Sequence, residues 1–346
     1  MDDLKYFGWT KANQDAWDEL ALVNKYPARV IADFGTSLKI ATPGIMSAEL
    51  SGKLAHYSPA NDTPKVGDWV AVTLLDNGPA VVESVVLRRN EISRKVAGKQ
   101  ITKQLLAANI DIAFVLLALD NDFSIERLQR FLYQLSINAI ESIIVLNKAD
   151  KTDTLKWYKD QLNTLNLPII VATATEGKGI DEILGRILPG RTAILLGSSG
   201  VGKSTITNKL LGRDVQQTES VKLSDETGKH TTVHRELFVL PNGGLLIDTP
   251  GIRELQLWGT EADLDAKYSD ISLLGSKCRY TNCRHTFESG CAIHKALQNG
   301  SLDKVHYSNY LKMKSELATL NEKHTTQVRR DNKRPRKNND WDDSEL

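Results

Sequence analysis

Gly197-Ser198-Ser199-Gly200-Val201-Gly202-Lys203-Ser204 fits the pattern G-x-x-x-x-G-K-[ST], follows an apolar run at residues 193–196 and precedes a helical stretch. Strand, glycine-rich loop and helix in that order read as an α/β layer fold with a phosphate-binding loop. The glycines let the backbone pass close enough for its N–H groups to cradle phosphate oxygens, and the following helix aims its positive end at them. Lys203 would reach the β- and γ-phosphates, and Ser204 would offer a hydroxyl to Mg²⁺. Gly197 through Thr205 form the expected phosphate-side set. A plain Gly/Ser surface turn would need neither flank.

Working outward, six strand candidates lie at residues 110–119, 143–146, 169–172, 193–196, 236–240 and 245–247, separated by helical stretches. Upstream the rhythm is different. Short β-type runs at 28–32, 37–40, 68–72 and 80–87 are broken by Gly/Pro/Asn/Asp-rich pieces, a pattern that predicts a small all-β barrel of the OB type. The fold class expected is multidomain: an N-terminal segment at 1–27, an all-β OB-type barrel at 28–98, a central α/β phosphate-loop domain at 99–254, a mainly helical metal-binding domain at 255–320 and a charged, disordered tail at 321–346.

A phosphate loop does not choose a base, so the second motif carries more about the substrate. Asn147-Lys148-Ala149-Asp150 fits N-K-x-D and leaves an apolar run at the strand's carboxyl end, where α/β proteins place ligands. An ionised Asp is acceptor-only and matches the adjacent N1–H and N2–H₂ donors of guanine, a donor pair adenine lacks. Asp150 therefore selects guanine; Asn147 ties the loop to neighbouring backbone, and the Lys148 stem lies over the base. Asp248-Thr249-Pro250-Gly251 fits D-x-x-G, with Asp248 in the Mg²⁺ shell and the Gly251 N–H at the γ-phosphate. Between the phosphate loop and D-x-x-G, Thr232 is the expected switch threonine on Mg²⁺, with Thr231 as its rival. Thr173-Ala174 would support the base from the backbone.

These motifs resemble the translation-factor-like GTPases, but the base-selecting pieces precede the phosphate loop, whereas an ordinary member has them after it. The order is that of a circular permutation, which leaves a sheet intact because domain termini usually lie near one another at the surface. With a barrel before it and a Cys/His cluster behind it, the chain resembles the ribosome small-subunit-dependent GTPase A family, the circularly permuted bacterial assembly GTPases. The resemblance covers residues 28–320. It implies hydrolysis of GTP to GDP stimulated by the small (30S) ribosomal subunit, late in that subunit's maturation, with rRNA, GTP/GDP and other assembly factors as partners. Many GTPases carry Gln after D-x-x-G to orient the attacking water; Ile252 stands there here and can form no side-chain hydrogen bond. Slow intrinsic hydrolysis is expected, with Lys203 and His234 as catalytic candidates beside His230 or a group from the ribosome.

Cys278, Cys283, His285 and Cys291 follow C-x₄-C-x-H-x₅-C and hold all three cysteines of the chain. Three thiolates and an imidazole complete a tetrahedral Zn²⁺ shell and leave no open position, so a structural ion is expected. Lys277, Arg279, Arg284 and Lys295 make this stretch basic and suited to RNA phosphate. Over the whole chain 44 basic residues meet 43 acidic ones, which excludes a protein that coats nucleic acid with its entire surface. The longest apolar run, 112–119, is far short of the roughly 20 residues of a membrane span, and the Met1-Asp2-Asp3 start lacks signal-peptide character. A cytoplasmic monomer is the expectation. Two other classes fit parts of the pattern. An ATP-dependent kinase or ATPase would keep the phosphate loop but has no use for Asp150. A nonenzymatic RNA-binding module would have no use for Lys203 and Ser204.

Overall fold

The computed structural model describes residues 2–35, 37–56, 63–86, 88–95, 103–120, 122–213, 235–248, 257–286 and 288–333. The chain divides into two compact units, Met1–Arg94 with Lys103–Gln256, and Lys95–Thr102 with Leu257–Leu346.

In the first unit two short helices, α1 (Asp2–Tyr6) and α2 (Lys11–Glu19), precede strands β1 (Tyr26–Asp33), β2 (Leu38–Thr42) and β3 (Gly44–Leu50), helix α3 (Gly52–His56), and strands β4 (Trp69–Thr73) and β5 (Ala80–Val85). β1 pairs antiparallel with both β2 and β4, β3 runs parallel to β5, and β4 pairs antiparallel with β5. The circuit β1-β2-β3-β5-β4-β1 is a closed five-stranded barrel. Its core is Ala28, Val30, Ile40, Val70, Val72 and Val82, alternate inward positions of their strands. β3 was not expected from sequence. Met46, Ala48 and Leu50 face the barrel core and alternate with Ser47 and Glu49, but only Ala48 is fully buried and exposed Ile45 blurs the pattern at its start.

Strands β6 (Glu91–Lys95) and β7 (Lys103–Ala108) pair as a separate ribbon. There follow β8 (Ile112–Ala118), α4 (Ile125–Ile137), β9 (Glu141–Asn147), α5 (Leu155–Leu162), β10 (Ile169–Val171), α6 (Ile180–Arg186), β11 (Thr192–Leu196), α7 (Lys203–Leu211), β12 (Arg235–Val239) and β13 (Leu245–Asp248). All six strands read from the sequence are present. β8 is buried at every position because helices cover both faces of the sheet. Ala113, Val115 and Leu117 pack with Leu128, Phe131 and Leu135 of α4. Ile112, Phe114 and Leu116 point the other way, to Ile183 of α6 and Ile206 of α7.

The spatial order β10-β9-β8-β11-β13-β12 decides where a ligand belongs. From β8 the chain steps outward to β9 and β10, then returns to lay β11 on the other side of β8. All pairs are parallel except β12 with β13. The direction of winding reverses between β8 and β11, and the crevice at the carboxyl ends of those strands is the topological switch point.

β1 also pairs with β12, so barrel and α/β sheet form one continuous eleven-stranded sheet. Arg29 on β1 pins this junction. Its buried guanidinium donates to the Gly67, Phe7 and Asn109 carbonyls and to Thr192 Oγ1 on β11, and lies 5.2 Å from the Trp69 ring centre. Burial lowers its pKa to about 10, opposed by the Asp111 charge, so it stays cationic at neutral pH. The residues before Tyr26 belong to this body: Leu4 and Trp9 pack on Trp69 and Val86.

The second unit carries α8 (Glu261–Lys267), α9 (Ser269–Gly275), α10 (Ala292–Gln298) and α11 (Lys304–Lys333). Leu264, Ile271, Ile293, Met313 and Leu317 are buried in it. α11 runs past residue 320, so the stretch expected to begin a disordered tail is helical through Lys333. Its Lys, Arg, Glu and Gln residues are good helix formers as well as soluble ones.

Candidate functional site

The loop after β11 turns on glycines in the left-handed region: Gly197 at φ +149°, Gly200 at +74° and Gly202 at +104°. At Gly202 the requirement is also one of space, since a Cβ there would lie 2.2 Å from Asn147 Nδ2. Lys203 opens α7, and its Nζ donates to the carbonyls of Gly197 at 2.8 Å and Ser198 at 2.6 Å. Ser204 and Thr205 follow in the first turn, half-buried; Val201 is buried in the core, and Ser199 and Gly200 are exposed.

Asn147 ends β9 and is 2% exposed. Its Nδ2 donates to the Val201 carbonyl at 2.8 Å, and its Oδ1 accepts from the Ala174 N–H at 3.1 Å. One buried side chain thus holds together the phosphate loop, the N-K-x-D loop and the Thr173-Ala174 loop. Ala149 N–H donates to the Ala172 carbonyl and Thr173 N–H to Lys178, which closes the base-side loops on one another. Lys148 sits in the left-handed region at φ +61°, and its Nζ donates to Asp120 Oδ2 at 2.8 Å. Asp150 follows in a single 3₁₀ turn, with Lys151 Nζ 3.6 Å from its carboxylate.

Asp248 ends β13, 6% exposed, beside β11 in parallel register at Ile194↔Ile247. Its carboxylate therefore belongs to the same edge of the sheet as the phosphate loop. Thr231, Thr232, His230, His234, Thr249, Gly251 and Ile252 lie outside the described residues.

Sequence reasoning missed Asp120 and Asp122, on the loop leaving β8. Their one signal was position, just past the carboxyl end of a buried strand. Burial pushes the Asp120 carboxyl up, but the Lys148 ammonium and the Asp122 N–H outweigh it and hold its pKa below the usual range.

In the second unit the ligand atoms of Cys278, Cys283, His285 and Cys291 all lie within 4.8 Å of one another. Cys278 Sγ is 3.5 Å from His285 Nδ1 and 4.0 Å from Cys291 Sγ, and Cys291 Sγ is 3.6 Å from the same nitrogen. A tetrahedral zinc with Zn–S of about 2.3 Å spaces its ligands by about 3.8 Å, so the donor set fits one ion. The three thiols are free, none in a disulfide. His285 is held at φ +59° by a turn that Glu288 clamps, its carboxylate accepting the Arg284 and Thr286 N–H groups at 2.8 and 2.9 Å. Those N–H groups, Arg284's foremost, hold the Glu288 carboxyl down to about 2.

The model of the RsgA GTPase family matches residues 85–258. A small ribosomal subunit biogenesis GTPase RsgA of Opitutus terrae is 36% identical over 91% of this chain and 90% of its own length. One of Syntrophotalea carbinolica is 34% identical over 98% of each. The chain belongs to the RsgA GTPase family. Like the other RsgA GTPases it is a GTP hydrolase, and the matched segment spans every loop described above from β8 to β13. Among solved structures, YjeQ from Thermotoga maritima aligns with a TM-score of 0.64 at 24% identity, covering 85% of this chain and 99% of that one. YloQ, described as a circularly permuted GTPase, aligns at 0.60 and 21%, covering 85% and 96%. Both show the same fold, so the permuted order of motifs is a property of the architecture. The Cys/His cluster of this RsgA GTPase lies outside the segment the family model matches.

Proposed function

We propose that this RsgA GTPase acts in biogenesis of the small ribosomal subunit, hydrolysing GTP to GDP with stimulation by that subunit. The observation that carries the nucleotide reading is Asn147, which hydrogen-bonds the phosphate loop and the base-side loop at once. That link across 54 residues of chain supports reading a base contact and a phosphate contact into one site. Asp150 accepts from the guanine edge, Lys148 covers the base, and Thr173-Ala174 support it. The 197–205 loop cradles the phosphates, and Lys203 meets the charge that develops on the γ-phosphoryl group.

Ser204 and the buried Asp248 carboxylate, at neighbouring strand ends, supply the oxygen donors a hard cation prefers and fit Mg²⁺. Mg²⁺ bound there neutralises phosphate charge. Thr232 as a further Mg²⁺ ligand, Gly251 at the γ-phosphate and His234 as the group that orients water complete the reading. Ile252 after D-x-x-G has no side-chain group to orient water, which supports the need for a ribosomal stimulus.

The barrel order β1-β2-β3-β5-β4 supports an OB-type assignment, a fold whose face binds oligonucleotides. Zinc would have a structural role, because three thiolates and one imidazole fill its shell. With Lys277, Arg279, Arg284 and Lys295 around it, that module presents positive charge to rRNA phosphate. We read barrel, GTPase and zinc domains in that order along a cytoplasmic monomer, with assembly factors as further partners. Among the described residues no helix is long and apolar enough to cross a membrane.

The test is GTP hydrolysis with and without purified small ribosomal subunits, with ATP as competitor. Stimulation by subunits and no competition by ATP are expected; unchanged turnover with subunits overturns the ribosomal part, and competition by ATP overturns the role of Asp150.

A further inference from the structure

The loop that leaves β8 has no part in the reading above, yet it is braced against both halves of the nucleotide site. Asp122 accepts a hydrogen bond from Ser198 Oγ, and Arg127 Nη1 of α4 lies 2.8 and 2.9 Å from its two carboxylate oxygens. The Asp122 N–H donates to Asp120 Oδ1 at 2.9 Å, and Asp120 holds Lys148. Ser198 in turn offers its carbonyl to Lys203 Nζ at 2.6 Å, closer than the Gly197 carbonyl at 2.8 Å. The connection therefore runs from Arg127 through Asp122 and Ser198 to Lys203. Burial raises the Asp122 pKa, but the Ser198 hydroxyl and Arg127 outweigh it, so the group is the carboxylate that this connection requires.

We propose that Asp122 is a positioning residue for GTP hydrolysis: by fixing Ser198 it sets the carbonyl that places the Lys203 ammonium against the phosphates. The inference rests on Lys203 being the phosphate contact. The Asp122 side chain is 41% exposed, so a large contribution to global stability is not its role. A misplaced Lys203 weakens an interaction that strengthens in the transition state, and that loss falls on kcat more than on KM.

The experiment is steady-state GTP hydrolysis by the full chain as wild type, Asp122→Ala, Ser198→Ala, the double variant and Lys203→Ala, with Tm measured for each. Asp122→Ala and Ser198→Ala are each expected to lower kcat about tenfold and to change KM less than threefold, with Tm held within about 2 °C. The double variant should be no slower than either single one, because both break one connection. A wild-type kcat in Asp122→Ala, multiplying losses in the double variant, or a fall in Tm that accounts for the lost activity would each overturn the proposal. Lys203→Ala at the wild-type rate would instead overturn the underlying reading of the site.

Discussion

At the nucleotide site each functional loop leaves the carboxyl end of a strand in a sheet covered on both faces, and the loops are cross-braced by side chains such as Asn147. Around the Cys/His cluster, residues 276–291 lie between α9 and α10 with no helix or strand among the described residues, and α8, α9 and α10 are only seven residues each. One site is shaped before any ligand arrives. The other is a loop with little beyond turn hydrogen bonds and the Glu288 clamp to hold the four side chains that would take the ion, so binding free energy and folding free energy would be closely coupled there.

The sharpest way to break that comparison is to remove one ligand atom or the metal. Cys283→Ser, or a strong chelator, should unravel residues 276–291, seen as loss of amide-exchange protection and rapid proteolysis of the stretch, while GDP affinity changes less than about threefold. Structural zinc contributes about 10 kcal/mol or more to such small modules, so this is the largest effect expected. Equal protection with and without chelator would put the loop in the same class as the nucleotide site.

The first unit should instead be sensitive at its buried pins. Arg29→Met leaves the Gly67, Phe7 and Asn109 carbonyls and Thr192 without their shared donor. A loss of about 3 kcal/mol is expected, read from the urea midpoint. An unchanged midpoint would mean that the barrel and the α/β sheet are joined by strand pairing alone.

Much of this was legible in the sequence, for physical reasons that also set the limit. Strands β8, β9, β11 and β13 could be read because a sheet buried on both faces writes continuous apolar runs, and the motif residues could be read because phosphate and thiolate chemistry fixes residue types at fixed spacing. β3 could not, with Ala48 its one fully buried residue. Arg29 looks like an exposed strand residue until the fold surrounds it with carbonyls. Asp120 and Asp122 were missed because their partners Lys148 and Ser198 are 28 and 76 residues away, and no local pattern records such a pairing. Only the start of the expected tail, residues 321–333, differs, because lysine, arginine and glutamate serve a coil and a helix equally well.

A smaller effect tests the cross-bracing itself. Gly202→Ala would place a methyl 2.2 Å from Asn147 Nδ2 at φ +104°. Displacing Asn147 separates the phosphate loop from the base-side loops, at a cost of about 2 kcal/mol. GDP affinity should fall with stability, whereas in Arg29→Met the folded protein should bind normally. If Gly202→Ala binds GDP as wild type does, the two loops are not held in register by Asn147.

The smallest expected effect lies in the second unit, where helices this short depend on their ends. Thr260 caps α8 by accepting the Asp263 N–H, and Asp263 returns the contact by accepting from the Thr260 N–H at 2.7 Å and its hydroxyl at 2.8 Å. The Thr260 backbone N–H foremost, then its hydroxyl, holds the Asp263 pKa below the usual carboxylate value against a slight opposing effect of burial. Between the folded pKa and the unfolded value of about 3.9 the native state binds fewer protons than the unfolded one, so stability rises with pH across that window. The stabilisation is complete above the unfolded value and is lost as pH falls through the folded one. Thr260→Ala should cost about 1 kcal/mol of helix stability and move the Asp263 carboxyl titration, followed by NMR, back up toward 3.9. A wild-type midpoint already at 3.9 would show that the cap contributes nothing in solution, leaving packing against α9 and α11 to hold α8 in place.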